Sequence, residues 1–231
     1  HTVYIEKDAG VGSGFTNEDY EHYGAVILET AEEVWSKVDL MIKVKEPLES
    51  EYRYFREDLI LFTYLHLAAD EALTKALLES KMSALAYETL DVNGSLPLLK
   101  PMSEIAGRLS IQEAAKYLEK PFGGKGLLLS GLPGVKKAKV MIIGAGVAGK
   151  NAAKIALGMG ADVYLLDKNI NRLEQLESEF GFQIKTRYST HATILELLPE
   201  MDVVVGAVLV PGAKAPKLIM REDLKKMQPG G

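Results

Sequence analysis

Short apolar runs recur along this chain, and amphipathic stretches separate them. In the first half the runs 2–6, 25–28, 40–45, 59–65 and 84–89 read as strands. Thr16 with Asp19, and Thr30 with Glu33, are capping-box patterns that open two short helices, the second containing Trp35. Over 70–81, Leu73, Leu77 and Leu78 fall at helical spacing. Asn93-Gly94 marks a turn. A long helix is expected over 103–120, with Ser103 as its N-cap. Strands expected at 140–143, 162–166, 183–187 and 202–208 then alternate with further helices. Such alternation predicts a parallel, doubly wound sheet. The fold class is therefore α/β, with a Rossmann doubly wound parallel sheet at residues 103–231 and a second α/β domain at 1–102. The boundary falls within or just before the long helix.

The most informative stretch is AKVMIIGAGVAGKNAAKIALGMGADVYLLD. A buried-type apolar strand runs into Gly144, Gly146 and Gly149, which form G-x-G-x-x-G. Gly144 permits the tight turn, Gly146 lets a pyrophosphate approach the backbone, and Gly149 lets the helix pack close to the sheet. Val147 and Ala148 open that helix, whose free N–H groups and partial positive charge suit phosphate. Asp167 ends the second strand and can accept hydrogen bonds from a ribose diol. It would repel a 2′-phosphate, which favours NAD over NADP.

Composition narrows the classes further. The chain has 231 residues, 47% of them hydrophobic and 26% charged, enough for a packed core. Its net charge of -5 argues against nucleic acid as a partner. The absence of cysteine excludes disulfides, zinc-thiolate sites and thiol nucleophiles, and fits a reducing cytoplasm. No apolar run is long enough to predict a membrane span. The ends predict a fragment: His1 leads directly into a strand pattern, and the chain stops at the turn Pro229-Gly230-Gly231.

Two residues stand out in the first half. Lys45 in IKVKEP and His66 in FTYLHLA close two expected strands, at the carboxyl rim where open α/β sheets bind ligands. A lysine there can hold a carboxylate or polarise a carbonyl, and a histidine can move a proton near neutral pH. A solvated lysine and a structural histidine are the alternatives. Lys43 competes with Lys45 from the same strand face, and proximity to the strand end favours Lys45. His22 falls on a polar helix and His191 in a loop, and no histidine pair has metal-ligand spacing, so no metal site is predicted. The run after Asp202 enters the loop VPGAKAP. Val208 and Leu209 there can pack beside a nicotinamide, with Gly206 and Gly212 allowing close approach, while a buried strand with a Pro-Gly turn is the alternative. Lys214 and Lys217 fit solvated positions.

Taken together, IKVKEP, FTYLHLA, AYET, NGSLPLL, PMSEIAGRLS, GLPGV, GAGVAGKNAAKIALGMGADV and VGAVLVPGAKAPKL closely resemble the alanine dehydrogenases. The likeness covers nearly the whole chain. It implies NAD-dependent, reversible oxidative deamination of L-alanine to pyruvate and ammonium, a split substrate domain, an inserted Rossmann domain and a homohexamer. By that resemblance Lys45 contacts the pyruvate carboxylate or carbonyl, and His66 is proton carrier and substrate contact. Ser103 lies on the cofactor phosphate side, Asp167 at the adenosine ribose, Arg172 and Ser189 on the adenosine side, and Val208 and Leu209 by the nicotinamide. The family's substrate-binding arginine is expected before His1, and its catalytic aspartate past Gly231. A related transhydrogenase component, which passes hydride to a second nucleotide, is the nearest rival. LPLLKPMSEIAGRLS and YLHLA fit it less well. A non-catalytic NAD-binding protein is the rival of another class.

Overall fold

The computed structural model describes residues 1–210 and 215–231, which form two compact units, His1–Leu96 and Pro97–Gly231. Gly212 and Lys214 of the expected nicotinamide-side loop lie outside the described residues.

In the first unit the elements are β1 (Tyr4–Glu6), α1 (Asn17–His22), β2 (Val26–Leu28), α2 (Ala31–Lys37), β3 (Leu40–Ile42), β4 (Ile60–Thr63), α3 (Glu71–Ser80) and β5 (Ser83–Ala86). Both expected capping boxes form: Thr16 and Thr30 each accept the N–H three residues on, and Asp19 and Glu33 reach back. β1 pairs with β2, and β4 lies between β3 and β5, all in parallel. Burial follows the alternation of β4, with Leu61 and Thr63 fully buried. Leu59, Leu61, Leu65, Leu73 and Trp35 form the core of this unit.

Two strands stop short of expectation. β3 ends at Ile42 and not at Lys45, while β4 ends at Thr63 and not at Leu65. Beyond Ile42 the pairing thins to two long bonds, Lys43 N–H to Phe62 O at 3.2 Å and Tyr64 N–H to Val44 O at 3.3 Å. The chain bends there toward Pro47, so Lys43 and Lys45 no longer share a strand face. Likewise β5 stops at Ala86, and a single 3-10 turn covers Tyr87–Thr89.

The second unit holds α4 (Lys100–Tyr117), β6 (Lys139–Ile143), α5 (Val147–Gly158), β7 (Asp162–Asp167), α6 (Ile170–Glu179), β8 (Ile184–Tyr188), α7 (His191–Leu197) and β9 (Val203–Gly206). Its sheet runs β8-β7-β6-β9, parallel throughout. The side chains of β6 alternate between two cores. Val140 and Ile142 pack with Ile111, Ala152, Ala156 and Leu176, whereas Met141 and Ile143 pack with Leu166, Ile194 and Leu198.

Three local expectations are corrected here. Ser103 does not cap α4: the helix begins at Lys100 with Pro101 in its first turn, a position proline favours because its missing N–H would have no partner there. His191 begins α7, because the Thr190 hydroxyl accepts the Thr193 N–H and starts the helix. Asp202 precedes β9. Its buried carboxylate accepts the Lys139 N–H at 2.8 Å and pairs with Lys125, anchoring the strand entry.

Candidate functional site

The Gly-rich turn is built as the sequence requires. Gly144 leaves β6 at φ +108, a conformation L side chains rarely adopt. A β carbon there would meet Ala207 O at 2.6 Å. A β carbon on Gly149 would run into the carbonyl oxygen of Gly144, so only glycine lets α5 start this close to β6. Gly146 differs. It is exposed, and nothing lies within 4 Å of where its β carbon would stand, which leaves room for a ligand. Gly146 is also the N-cap of α5, with no side chain satisfying the helix N–H groups that follow. Val147 and Ala148 are the first two residues of that helix, both partly buried.

Asp167 and Arg172 grip the turn from the neighbouring strand and helix. Asp167 Oδ2 accepts the Ala145 N–H at 2.6 Å, and its Oδ1 accepts the Asn169 N–H at 2.8 Å. Arg172 Nε donates to Ala145 O at 2.9 Å, so both backbone groups of one residue are held. Each carboxylate oxygen keeps a lone pair for a hydroxyl donor. Ser189 is buried where β8 ends, and its N–H donates to Asp167 O at 2.9 Å.

Val208 and Leu209 follow β9, whose last bond is Ala207 N–H to Ile143 O at 2.8 Å. Val208 Cγ2 lies 3.0 Å from a β carbon placed on Gly144, and Leu209 is exposed. These residues flank the crevice between β6 and β9, where the strand order reverses. Ser103 joins the same neighbourhood through α4. One turn on from it, Gly107 packs directly on the Ala148 carbonyl, and a β carbon at Gly107 would overlap that oxygen. A cleft of about 860 Å³ runs between α4, α5 and α6. Of the expected residues only Val147 and Arg172 line it.

In the first unit, Lys45 and His66 meet around a residue that strand-end reasoning passed over. Glu46 Oε2 lies 3.5 Å from Lys45 Nζ and 3.9 Å from His66 Nε2. That oxygen is buried and accepts no hydrogen bond. The backbone N–H of Glu46 holds its carboxyl below the usual carboxylate range, helped by the Lys45 and His66 charges and opposed by burial. The backbone of Lys45 is tied down by the buried Thr63, whose hydroxyl donates to Lys45 O at 2.9 Å. His66 stands at φ +51, with its ring stacked 6.0 Å from that of Tyr64. A cation, an imidazole and a carboxylate thus face one rim, a set able to bind a small carboxylate and move a proton.

The competing lysine is otherwise engaged. Lys43 Nζ pairs with Glu51 at 2.5 Å and lies 5.8 Å from the Trp35 ring centroid. The Lys43 side chain is 23% exposed, against 71% for Lys45. Glu51 also accepts the Trp35 indole N–H at 3.2 Å and the Leu48 N–H at 2.7 Å. Proximity to the strand end does not separate the two lysines, because β3 closes at Ile42, before both. Glu51, which does, lies beyond Pro47 on another segment.

Among the described residues no cluster of His, Cys, Asp or Glu is placed to hold a metal ion, and no helix is long and apolar enough to cross a membrane.

Comparison with known proteins covers both units. The model of the alanine dehydrogenase/PNT N-terminal domain matches residues 1–106, and that of the C-terminal domain matches residues 110–231. The alanine dehydrogenase of Methanococcus maripaludis is 56% identical over 231 residues, and that of Bacillus subtilis 54% over 230. All of this chain aligns in each case, but it spans only 62% and 61% of those proteins. A solved L-alanine dehydrogenase superposes with a TM-score of 0.89 at 48% identity, covering 100% of this chain and 64% of its own. A transhydrogenase from Sinorhizobium meliloti gives 0.79 at 27% identity, covering 99% and 67%. With matching sequence and fold across both units, the chain belongs to the alanine dehydrogenase/PNT family.

Proposed function

We propose that this chain is the greater part of an NAD-dependent L-alanine dehydrogenase. The observation that carries the reading is the grouping of Lys45, Glu46 and His66 at one strand rim in a chain that also holds a complete G-x-G-x-x-G turn. The open space at Gly146, the uncapped α5 N-terminus and the free lone pairs of Asp167 fit a dinucleotide. On this reading Gly144, Gly146, Val147, Ala148 and Gly149 receive the pyrophosphate, with Ser103 alongside. Asp167, Arg172 and Ser189 face the adenosine, and Val208 and Leu209 the nicotinamide. NAD, when bound, supplies the hydride acceptor.

The protein's own part is binding and proton movement. Lys45 Nζ, exposed at the rim, holds the substrate carboxylate or carbonyl. Alanine, its ammonium first deprotonated, becomes an iminium ion on losing hydride from Cα; water adds to it, ammonia leaves and pyruvate remains. His66 Nε2 is the group suited to take and return the proton in that hydrolysis, with Glu46 beside it to stabilise the imidazolium. The homohexamer and the cytoplasmic location belong to the same proposal.

Transhydrogenase activity is the second reading, and the 54–56% identity to alanine dehydrogenases against 27% to the transhydrogenase structure favours the first. The full-length protein, given alanine and NAD without a second nucleotide, should generate NADH absorbance. Lys45→Ala should abolish most turnover yet leave NAD binding intact. A protein that binds NAD but reduces it only with a second nucleotide would overturn the proposal.

A further inference from the structure

Glu88 is not at the rim through its own strand, yet its carboxylate reaches the backbone of His66. Its Oε1 accepts the His66 N–H at 2.6 Å and the Leu65 N–H at 3.1 Å, and Oε2 lies 3.3 Å from the latter. The β4–β5 register pairs Thr63 with Ala86, so its continuation would set Leu65 opposite Glu88. By that point both strands have ended, and β5 has turned into a 3-10 helix. The ladder carbonyl that would have served these N–H groups is gone, and a side-chain carboxylate stands in for it.

This matters because of His66's conformation. At φ +51 it is one of five non-glycine residues with positive φ among those described. A non-glycine residue held there is strained and persists only when its surroundings impose it. Glu88 is the group that grips the two N–H donors on which this bend turns. The turn continues with Ala69 N–H to His66 O at 2.9 Å and leads to Asp70, the N-cap of α3.

We propose that Glu88 is a positioning residue, which sets the left-handed backbone of His66 through these hydrogen bonds and so aims the imidazole at Glu46 and the substrate. The proposal rests on the reading of His66 as the proton carrier. Oε1 accepts both N–H groups at the shorter distances and Oε2 shares only the Leu65 N–H, so an acceptor at full glutamate length is required and the second oxygen is secondary.

Three variants of the full-length protein test this. Glu88→Ala and Glu88→Asp should lower kcat about tenfold or more, with the KM for alanine within about threefold of wild type. Glu88→Gln, which keeps an acceptor at the same reach, should recover most of the loss. The ordering Gln above Asp survives as a test even if Glu88→Ala does not fold. Equal kcat in all three, or Asp above Gln, overturns the proposal.

A second measurement is independent of turnover. In the 231-residue chain the His66 amide proton should resonate far downfield, and it should move upfield in Glu88→Asp. An unmoved amide overturns the clamp. Absence of alanine oxidation by the wild type, with the amide shift as expected, would instead overturn the functional reading.

Discussion

The carbonyl oxygen of Gly144 fills the space that a β carbon on Gly149 would occupy. Gly149→Ala must therefore push α5 away from β6, and overpacking of this kind costs about 1–3 kcal/mol. Thermal unfolding of the chain should show that loss, and calorimetry should show weakened NAD binding. The contrasting variant is Gly146→Ala, whose φ of −69° and ψ of −161° suit any residue and whose β carbon meets nothing. It should fold as stably as wild type and lose only nucleotide affinity. Equal stability of the two variants would contradict the packing argument.

Lys43 and Lys45 should separate under mutation. Removing Lys43 leaves Glu51 largely buried without its cation, at a cost of about 1–3 kcal/mol. Lys45 is exposed, so Lys45→Ala should leave the urea midpoint unchanged. Urea denaturation of the two variants decides this, and a destabilised Lys45→Ala beside a neutral Lys43→Ala would reverse the assignment.

The same pair predicts an acid limb. Burial opposes ionisation of Glu51, but Lys43, the Leu48 N–H and the Trp35 indole outweigh it, so its native pKa is lowered. A lowered native pKa means that the unfolded chain binds the proton more readily. The associated stability is present above the unfolded value of about 4.3 and is lost as pH falls through the lower native value. Lys43→Ala should flatten this limb in unfolding free energies measured across acid pH. A limb of unchanged steepness would assign it to other carboxylates.

Asp167 should have two separable effects. As the proposed ribose acceptor, its loss in Asp167→Ala removes a charge-assisted hydrogen bond and should weaken NAD binding roughly 10- to 100-fold. Removing the negative charge should also narrow the preference for NAD over NADP. Isothermal titration of the full-length variant with each nucleotide checks both. An unchanged NAD-to-NADP ratio would take Asp167 out of cofactor selection.

Local signals were legible wherever they act within a few residues. Thr16 with Asp19 and Thr30 with Glu33 close their capping boxes, because a cap needs only the three residues after it. The unbroken apolar run Val140 to Ile143 and the spacing of three glycines sufficed for a parallel Rossmann-type sheet, since each position answers to a neighbour in the same short motif. Ser103 was misplaced for a related reason. A serine before an apolar run looks like a cap, but Pro101 allowed the helix to start earlier.

Other features depended on partners distant in sequence. Strand ends were decided by where pairing stops between segments, which is why β3 closes at Ile42 and β4 at Thr63. Which lysine stays exposed was decided by Glu51, and the conformation of His66 by Glu88, 22 residues away. By itself the sequence determined the element types and the glycine turn, because these follow from spacing and side-chain type. Tertiary structure alone decided which charges neutralise one another and which remain available. Ion pairing and burial depend on distances in space, and chain spacing carries no measure of those.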